Sequence, residues 1–252
     1  MTAPRPARRT PSTRKSRPQP APPPESATPS HHPITLVVGT ATGVGKTWIT
    51  CAVARALREA GQQVTAVKPI ETGCVEPPSP SEDGMQLAEA TGQAGPRRAL
   101  VRLPGQVAPA IAADQAGITV DYDDLIARLR SMATVETLLL VEGAGGLLSP
   151  LTWSDNHLDL AHSLEARVLL VADDRLGTIS HTLMALRILQ AEKIAVLGIV
   201  LNQTGEPDES TRTNAGALQR LAEQVPIVRV PNLSDPVQAA EAVKEVAGWL
   251  LP

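Results

Sequence analysis

The segment Gly39-Thr40-Ala41-Thr42-Gly43-Val44-Gly45-Lys46-Thr47 constrains this chain more than any other. It lies between a short apolar run, residues 34–38, and a stretch of helical periodicity, residues 46–60. A glycine-rich turn that leaves a strand, opens a helix and closes on Lys-Thr lets backbone N–H groups surround phosphate oxygens. Gly43 and Gly45, flanking Val44, supply the freedom to turn those groups inward. Lys46 is placed to reach β- and γ-phosphates, and the Thr47 hydroxyl to coordinate Mg²⁺. One detail departs from the usual pattern, which has glycine five residues before Gly45; Thr40 stands there, and Gly39 comes one residue earlier.

A phosphate loop needs a parallel sheet behind it, and the chain supplies the pattern for one. Apolar runs at residues 34–38, 64–67, 138–141, 168–172 and 196–201 have the short, unbroken character of strands buried on both faces. Between them lie helical repeats. Residues 46–60 align Ile49, Val53, Ala56, Leu57 and Ala60 and end at Gly61. Residues 178–191 align Ile179, Leu183, Leu186 and Leu189, and residues 236–251 align Val237, Ala240, Val243, Ala247 and Leu250. Alternating strands and helices predict an α/β fold of the P-loop NTPase kind, a parallel sheet with helices on both faces. Residues 34–252 are expected to form it as a single domain.

The first 33 residues differ in kind. They hold six basic residues against Glu25 alone, and ten of the 23 prolines. Such a stretch buries too little apolar surface to offset its ordering entropy, so a disordered extension is expected. It has no apolar core of a secretory signal, and its prolines oppose an amphipathic transit helix. The remaining residues carry 17 basic against 25 acidic side chains, with Trp48, Trp153, Trp249 and Tyr122 as the only aromatics. An acidic, aromatic-poor body argues against nucleic acid as a partner. No run of about 18 apolar residues marks a membrane span. Cys51 and Cys74 are too few for a disulfide scaffold. A cytoplasmic enzyme is the expectation.

Ligands of open parallel sheets bind at the carboxyl ends of the strands. Those ends read Lys68-Pro69-Ile70-Glu71-Thr72-Gly73, Glu142-Gly143-Ala144-Gly145-Gly146 and Asn202-Gln203. Glu142 stands where a phosphate-loop protein needs an acid for Mg²⁺ or its water. The glycines after it allow close backbone approach to a ligand. Asn202 offers both donor and acceptor to a purine edge, and Lys68 can neutralise charge on a transferring phosphoryl group.

Together these motifs resemble the dethiobiotin synthetase family, in order and spacing, across residues 34 to about 233. The resemblance implies a reaction: 7,8-diaminopelargonate, CO₂ and ATP give dethiobiotin, ADP and phosphate. It implies Lys68 as the catalytic lysine, Thr72 at the reacting end of the substrate, and Thr47, Asp83 and Glu142 around Mg²⁺. For ATP it implies Gly43, Val44, Gly45, Lys46, Thr47, Asp83, Glu142, Gly143, Ala144, Gly145, Asn202 and Gln203, with Pro231, Asn232 and Leu233 on the adenine side. It further implies a homodimer in which Gly177, Thr178, Ile179 and Ser180 open a helix against the partner's substrate.

Asp83 is the acid expected there, with an ordinary helix cap as the other reading, and a slip of register would put Glu82 in its role. Members often have Asn at Ser180 and Asp at Ala41. The five histidines show no metal-ligand grouping. Two other classes share the loop. Partitioning-type ATPase switches carry a signature lysine at the place of Ala41, and corrinoid amidation synthetases normally add a glutamine-hydrolysing domain.

Deleting residues 1–32 is expected to leave thermal stability and turnover nearly unchanged, because a segment of this composition makes few native contacts. Thermal unfolding and steady-state rates of the truncated chain check this; a marked loss of either shows that the segment docks on the body.

Overall fold

A strand buried on both faces must send alternate side chains to opposite layers, and these strands do so. Leu36 and Val38 face one apolar cluster while Val37 faces the other. Leu139 and Val141 alternate likewise with Leu138 and Leu140, and Leu170 with Leu169 and Val171. The computed structural model describes residues 33–251, so the expectation for residues 1–32 lies outside the described residues.

The chain runs β1 (Thr35–Gly39), α1 (Lys46–Glu59), β2 (Val64–Val67), β3 (Ile70–Thr72), α2 (Asp83–Thr91), β4 (Val101–Leu103), α3 (Pro109–Ala116) and α4 (Tyr122–Met132). It continues through β5 (Leu138–Gly146), α5 (His157–Leu164), β6 (Arg167–Asp173), α6 (Thr178–Ala191), β7 (Val196–Asn202) and α7 (Asn214–Leu221). It ends with β8 (Ile227–Val230), α8 (Pro236–Ala242) and α9 (Lys244–Leu250). Six strands form a parallel sheet in the order β2-β5-β1-β6-β7-β8. Helices α1, α2, α8 and α9 cover one face through Ile49, Leu57, Leu87, Ala240 and Leu250. Helices α3 to α7 cover the other, through Ala112, Leu129, Leu160, Leu189 and Leu218 among others. The expected architecture is present.

Several details differ from the sequence reading. Strand β5 does not stop at residue 141 but runs to Gly146, pairing Glu142 with Val37 and Gly146 with Gly39 of β1. Glu142 is therefore inside a central strand, not at its end. The single helix expected over residues 236–251 is two, because Val243 leaves helical geometry (φ −108°, ψ 13°) between α8 and α9. Val237 is exposed, and so is Ala60, which lies just past α1. The short parallel pair β3–β4 and the edge strand β8 were not anticipated. Each is three or four residues long, too short for a periodic signal.

One close packing contact sets a stability test. A Cβ on Gly198 of β7 would stand 2.2 Å from Trp249 Cζ3 of α9, so the indole lies against bare backbone. Gly198→Ala must push the ring away, at a cost of about 1–3 kcal/mol. A fall of several degrees in Tm by thermal unfolding is expected, and an unchanged Tm shows that the ring yields freely.

Candidate functional site

The phosphate loop joins two adjacent structural commitments, the end of β1 and the start of α1. Gly43 and Gly45 both take positive φ, 79° and 83°, which an L side chain rarely adopts. Gly39 is needed for a different reason. A Cβ there would meet the Ala41 carbonyl oxygen at 2.7 Å and Val44 Cγ2 at 2.9 Å. The loop thus uses Gly39 at its tight entry, one residue before the usual place, and Thr40 N–H donates to Val171 O of β6 at 2.9 Å. Val44 is buried, and its carbonyl accepts from Asn202 Nδ2 at 3.0 Å.

Beside the loop lies a cavity of about 350 Å³ lined by Gly43, Gly45, Lys46, Thr47, Lys68, Glu71, Thr72, Asp83, Ala144 and Gly145. Lys46, Thr47, Lys68, Thr72 and Asp83 thus face one space, while Glu142, fully buried, does not line it. Lys68 follows β2 and is buried. Its backbone is fixed where Leu100 N–H donates to Lys68 O at 3.0 Å. Its Nζ lies 2.6 Å from Glu142 Oε1 and 2.6 Å from Asp83 Oδ2, and donates to Gly143 O at 3.2 Å. Burial alone would lower the pKa of Lys68, but the Glu142 and Asp83 carboxylates outweigh it and hold the ammonium above its ordinary range. Burial would likewise raise Asp83, yet Lys68 beside it keeps that carboxyl below the usual carboxylate range. Lys46 is pushed down to about 8, by burial first and then by the neighbouring Lys68 charge.

Thr47 Oγ1 lies 2.9 Å from Asp83 Oδ1 and 2.8 Å from Glu142 Oε1, so the three expected metal-binding oxygens converge. Glu142 is fully buried, and its Oε2 has no hydrogen-bond partner among the described residues. An unpartnered buried carboxylate oxygen beside a hydroxyl and a second carboxylate is the donor set a hard divalent cation takes, so these residues fit Mg²⁺.

Geometry also separates Asp83 from Glu82. Asp83 is the first residue of α2 and turns to Lys68 and Thr47. Glu82 faces away and is gripped by Arg102, with Nε to Oε2 at 2.9 Å and Nη2 to Oε1 at 2.7 Å. Asp83 does not cap α2 either. Glu71, overlooked as a site residue, accepts from the N–H groups of Asp83 at 2.5 Å and Gly84 at 3.0 Å. Its sign in the sequence was only its place inside the Lys68–Gly73 motif. Burial raises the Glu71 pKa despite those two donors.

His157 was also missed. It opens α5 and is fully buried. Its Nε2 accepts from Ala144 N–H at 2.9 Å. Burial, aided by the charges of Lys46 and Lys68, lowers its pKa to about 3 and keeps the ring neutral.

A smaller pocket of about 150 Å³ lies across Gly45, lined by Trp48, Asn202, Gln203, Thr204, Asn232 and Leu233. Pro231 follows β8 just before it and does not line it. Gln203 is steadied by Arg229 Nη2 on its Oε1 at 3.3 Å. Gly177, Thr178, Ile179 and Ser180 line neither space. Gly177 precedes α6 with φ 94°, and Thr178 Oγ1 is buried without a hydrogen-bond partner among the described residues.

A phosphate loop between a central parallel strand and a helix, with a lysine and two carboxylates converging on its threonine, defines a P-loop NTPase. Among solved structures, the septum site-determining protein MinD from Pyrococcus horikoshii OT3, complexed with Mg-ADP, has this fold. It superposes with a TM-score of 0.52 at 20% identity over 87% of this chain and 99% of that one. The family model described as AAA domain matches residues 35–240. The ATP-dependent dethiobiotin synthetase BioD of Anaeromyxobacter dehalogenans (strain 2CP-1 / ATCC BAA-258) is 40% identical over 216 residues, 84% of this chain and 96% of that protein. That of Aquifex aeolicus is 36% identical over 200 residues, 79% of this chain and 89% of that protein. The chain belongs to the ATP-dependent dethiobiotin synthetase family.

Lys46→Ala is expected to abolish turnover, because the transferring phosphate loses its charge-assisted partner. Steady-state phosphate release checks this, and a rate within tenfold of the parent overturns the role given to the loop lysine.

Proposed function

We propose that this chain converts 7,8-diaminopelargonate, CO₂ and ATP into dethiobiotin, ADP and phosphate. The observation that carries this reading is Lys68. A switch that only binds nucleotide has no use for a buried ammonium, 2.6 Å from each of two carboxylates, in the same cavity as Thr47 and Thr72.

The chemistry divides among the residues as follows. One substrate amine adds to CO₂ and loses a proton, giving a carbamate. A carbamate oxygen attacks the γ-phosphorus, the bond to the β-bridging oxygen breaks, and ADP leaves. The second amine then attacks the carbonyl of the mixed anhydride, closes the ureido ring, loses a proton and expels phosphate. Lys46 and the loop N–H groups hold the phosphates. Lys68 offsets charge on the carbamate and on the phosphoryl group as it moves. Thr72, half-buried at the end of β3, receives the reacting end of the substrate. Thr47, Asp83 and Glu142 would hold Mg²⁺, which when bound supplies positive charge to the phosphate oxygens.

The Trp48–Asn202–Gln203 pocket suits the nucleobase, with Asn232 and Leu233 beside it. Asn202 spends one N–H on Val44 O, and its side-chain oxygen is available to accept from a purine amine. The N-terminus of α6, with Ser180 exposed and the Thr178 hydroxyl unpartnered, suits the far carboxylate of a substrate bound mainly by a second subunit. Exposed Leu176 and Met184 beside it favour a covering partner copy, hence a homodimer. Among the described residues no helix is long and apolar enough to cross a membrane, and a cytoplasmic location accords with this reading.

Phosphate release with diaminopelargonate, bicarbonate and Mg·ATP, each omitted in turn, tests the reaction; release that persists without diaminopelargonate overturns it. Lys68→Gln separates synthesis from binding. It removes a charge whose contribution is larger in the transition state, so kcat is expected to fall on the order of 10²-fold or more. ADP affinity should change little, since ADP lacks the phosphate that Lys68 addresses. Unchanged kcat, or ADP affinity lost as severely as kcat, makes Lys68 structural.

A further inference from the structure

An ammonium has three hydrogens to place. In Lys68 two of them face Glu142 Oε1 and Asp83 Oδ2, and the third goes to the backbone carbonyl of Gly143 at 3.2 Å. What fixes that carbonyl fixes the direction of the other two hydrogens. The C=O of Gly143 and the N–H of Ala144 belong to one planar peptide and point in opposite directions when it is trans. Gly145 follows at once with φ 78°, so the segment is bent where it must hold a carbonyl in place.

The other end of that peptide is held by His157. Its Nε2 accepts from Ala144 N–H at 2.9 Å, and the Cδ2–Nε2 edge of the ring lies against Gly143, where a Cβ would stand 2.6 Å from Cδ2 and 2.7 Å from Nε2. Nδ1 is buried without a hydrogen-bond partner among the described residues. The imidazole therefore spends its well-formed contact on this one amide. The start of α5 is itself rigid, because a capping box joins Asn156 and Asp159 just around His157.

We propose that His157 is a positioning residue. Through the Gly143–Ala144 peptide it aims the Lys68 ammonium at the carboxylates that also meet Thr47. The chain of contacts runs His157 Nε2, Ala144 N–H, Gly143 C=O, Lys68 Nζ, and the imidazole itself need not touch substrate. This rests on the catalytic reading of Lys68 given above.

Three substitutions in the full-length protein test it. Gln at 157 can place its amide oxygen near the position of Nε2, Asn places its amide nearer Nδ1, and Leu keeps bulk without an acceptor. For His157→Leu, kcat for dethiobiotin formation is expected to fall about tenfold or more, the usual effect of losing a supporting hydrogen bond behind a reacting group. ADP affinity should fall much less than kcat, because ADP lacks the phosphate that Lys68 addresses. His157→Gln should recover most of the loss, and His157→Asn should not. Hydrogen exchange at the Ala144 amide gives a readout independent of turnover, faster in Leu and Asn than in the parent and Gln proteins.

Parental kcat in His157→Leu overturns the proposal, as does equal impairment of Gln and Asn, or slow Ala144 exchange in all variants. If the Leu protein does not fold, the Gln and Asn pair decides. A parent that forms no dethiobiotin overturns the catalytic reading instead, while the exchange data still judge the hydrogen bond.

Discussion

Placing a carboxylate at zero exposure inside a central strand is tolerable only when a cation answers it. Glu142 sits in β5 with no solvent contact, and Lys68, nearly as buried, stands 2.6 Å away. An isolated charge at either position would cost several kcal/mol in desolvation, so removing one partner harms more than the pair stabilises. The arrangement looks wasteful as a source of stability. It makes sense as a store of charge kept dry beside the phosphate loop, where fixed dipoles and charges act most strongly on a transferring group.

Keeping that cluster in register requires the start of α2 to be held from several directions. Glu71 takes the two N–H groups that a side-chain cap would otherwise satisfy, so Asp83 is released from capping and can face Lys68. Glu82 is drawn the other way by Arg102, which fixes the helix's rotation. Gly84 admits the backbone of Arg98 and Ala99, where a Cβ would come within 2.4 Å of Ala99 N. Neighbouring acids 71, 82 and 83 thus have three separate tasks, which only the folded arrangement distinguishes.

That division explains what the sequence could reveal. The phosphate loop was legible because its signal is local: a strand, three glycines, Lys-Thr and a helix within one stretch. Lys68 was legible just past a strand, and Asp83 and Glu142 because the segments around them resemble the family's motifs. Glu71 and His157 were not. The partners of Glu71 lie 12 and 13 residues away, and His157 reaches Ala144 across 13 residues and a turn, so no pattern along the chain links them. The extension of β5 through Gly146 escaped for a related reason. Glycines carry poor strand propensity, and only the pairing of Gly146 with Gly39 of β1 carries the strand past Glu142, through a bend at Gly145.

The likeness to MinD shows how little of the chemistry the fold decides. This chain superposes on MinD with a TM-score of 0.52 at only 20% identity, so the backbone is shared far more than the side chains. What sets this chain apart is concentrated at residues that a superposition of backbones barely registers. Ala41 stands in the loop where switch-type ATPases have lysine, so this loop brings no extra cation to the phosphates. Under the proposed function the cation comes instead from Lys68, one residue past the edge strand β2, reaching across to Glu142 of β5. A lysine mounted on the loop itself would ride with the nucleotide. One mounted on the sheet shares a cavity with Thr72 and the loop, where under the proposed function a second substrate would meet the γ-phosphate.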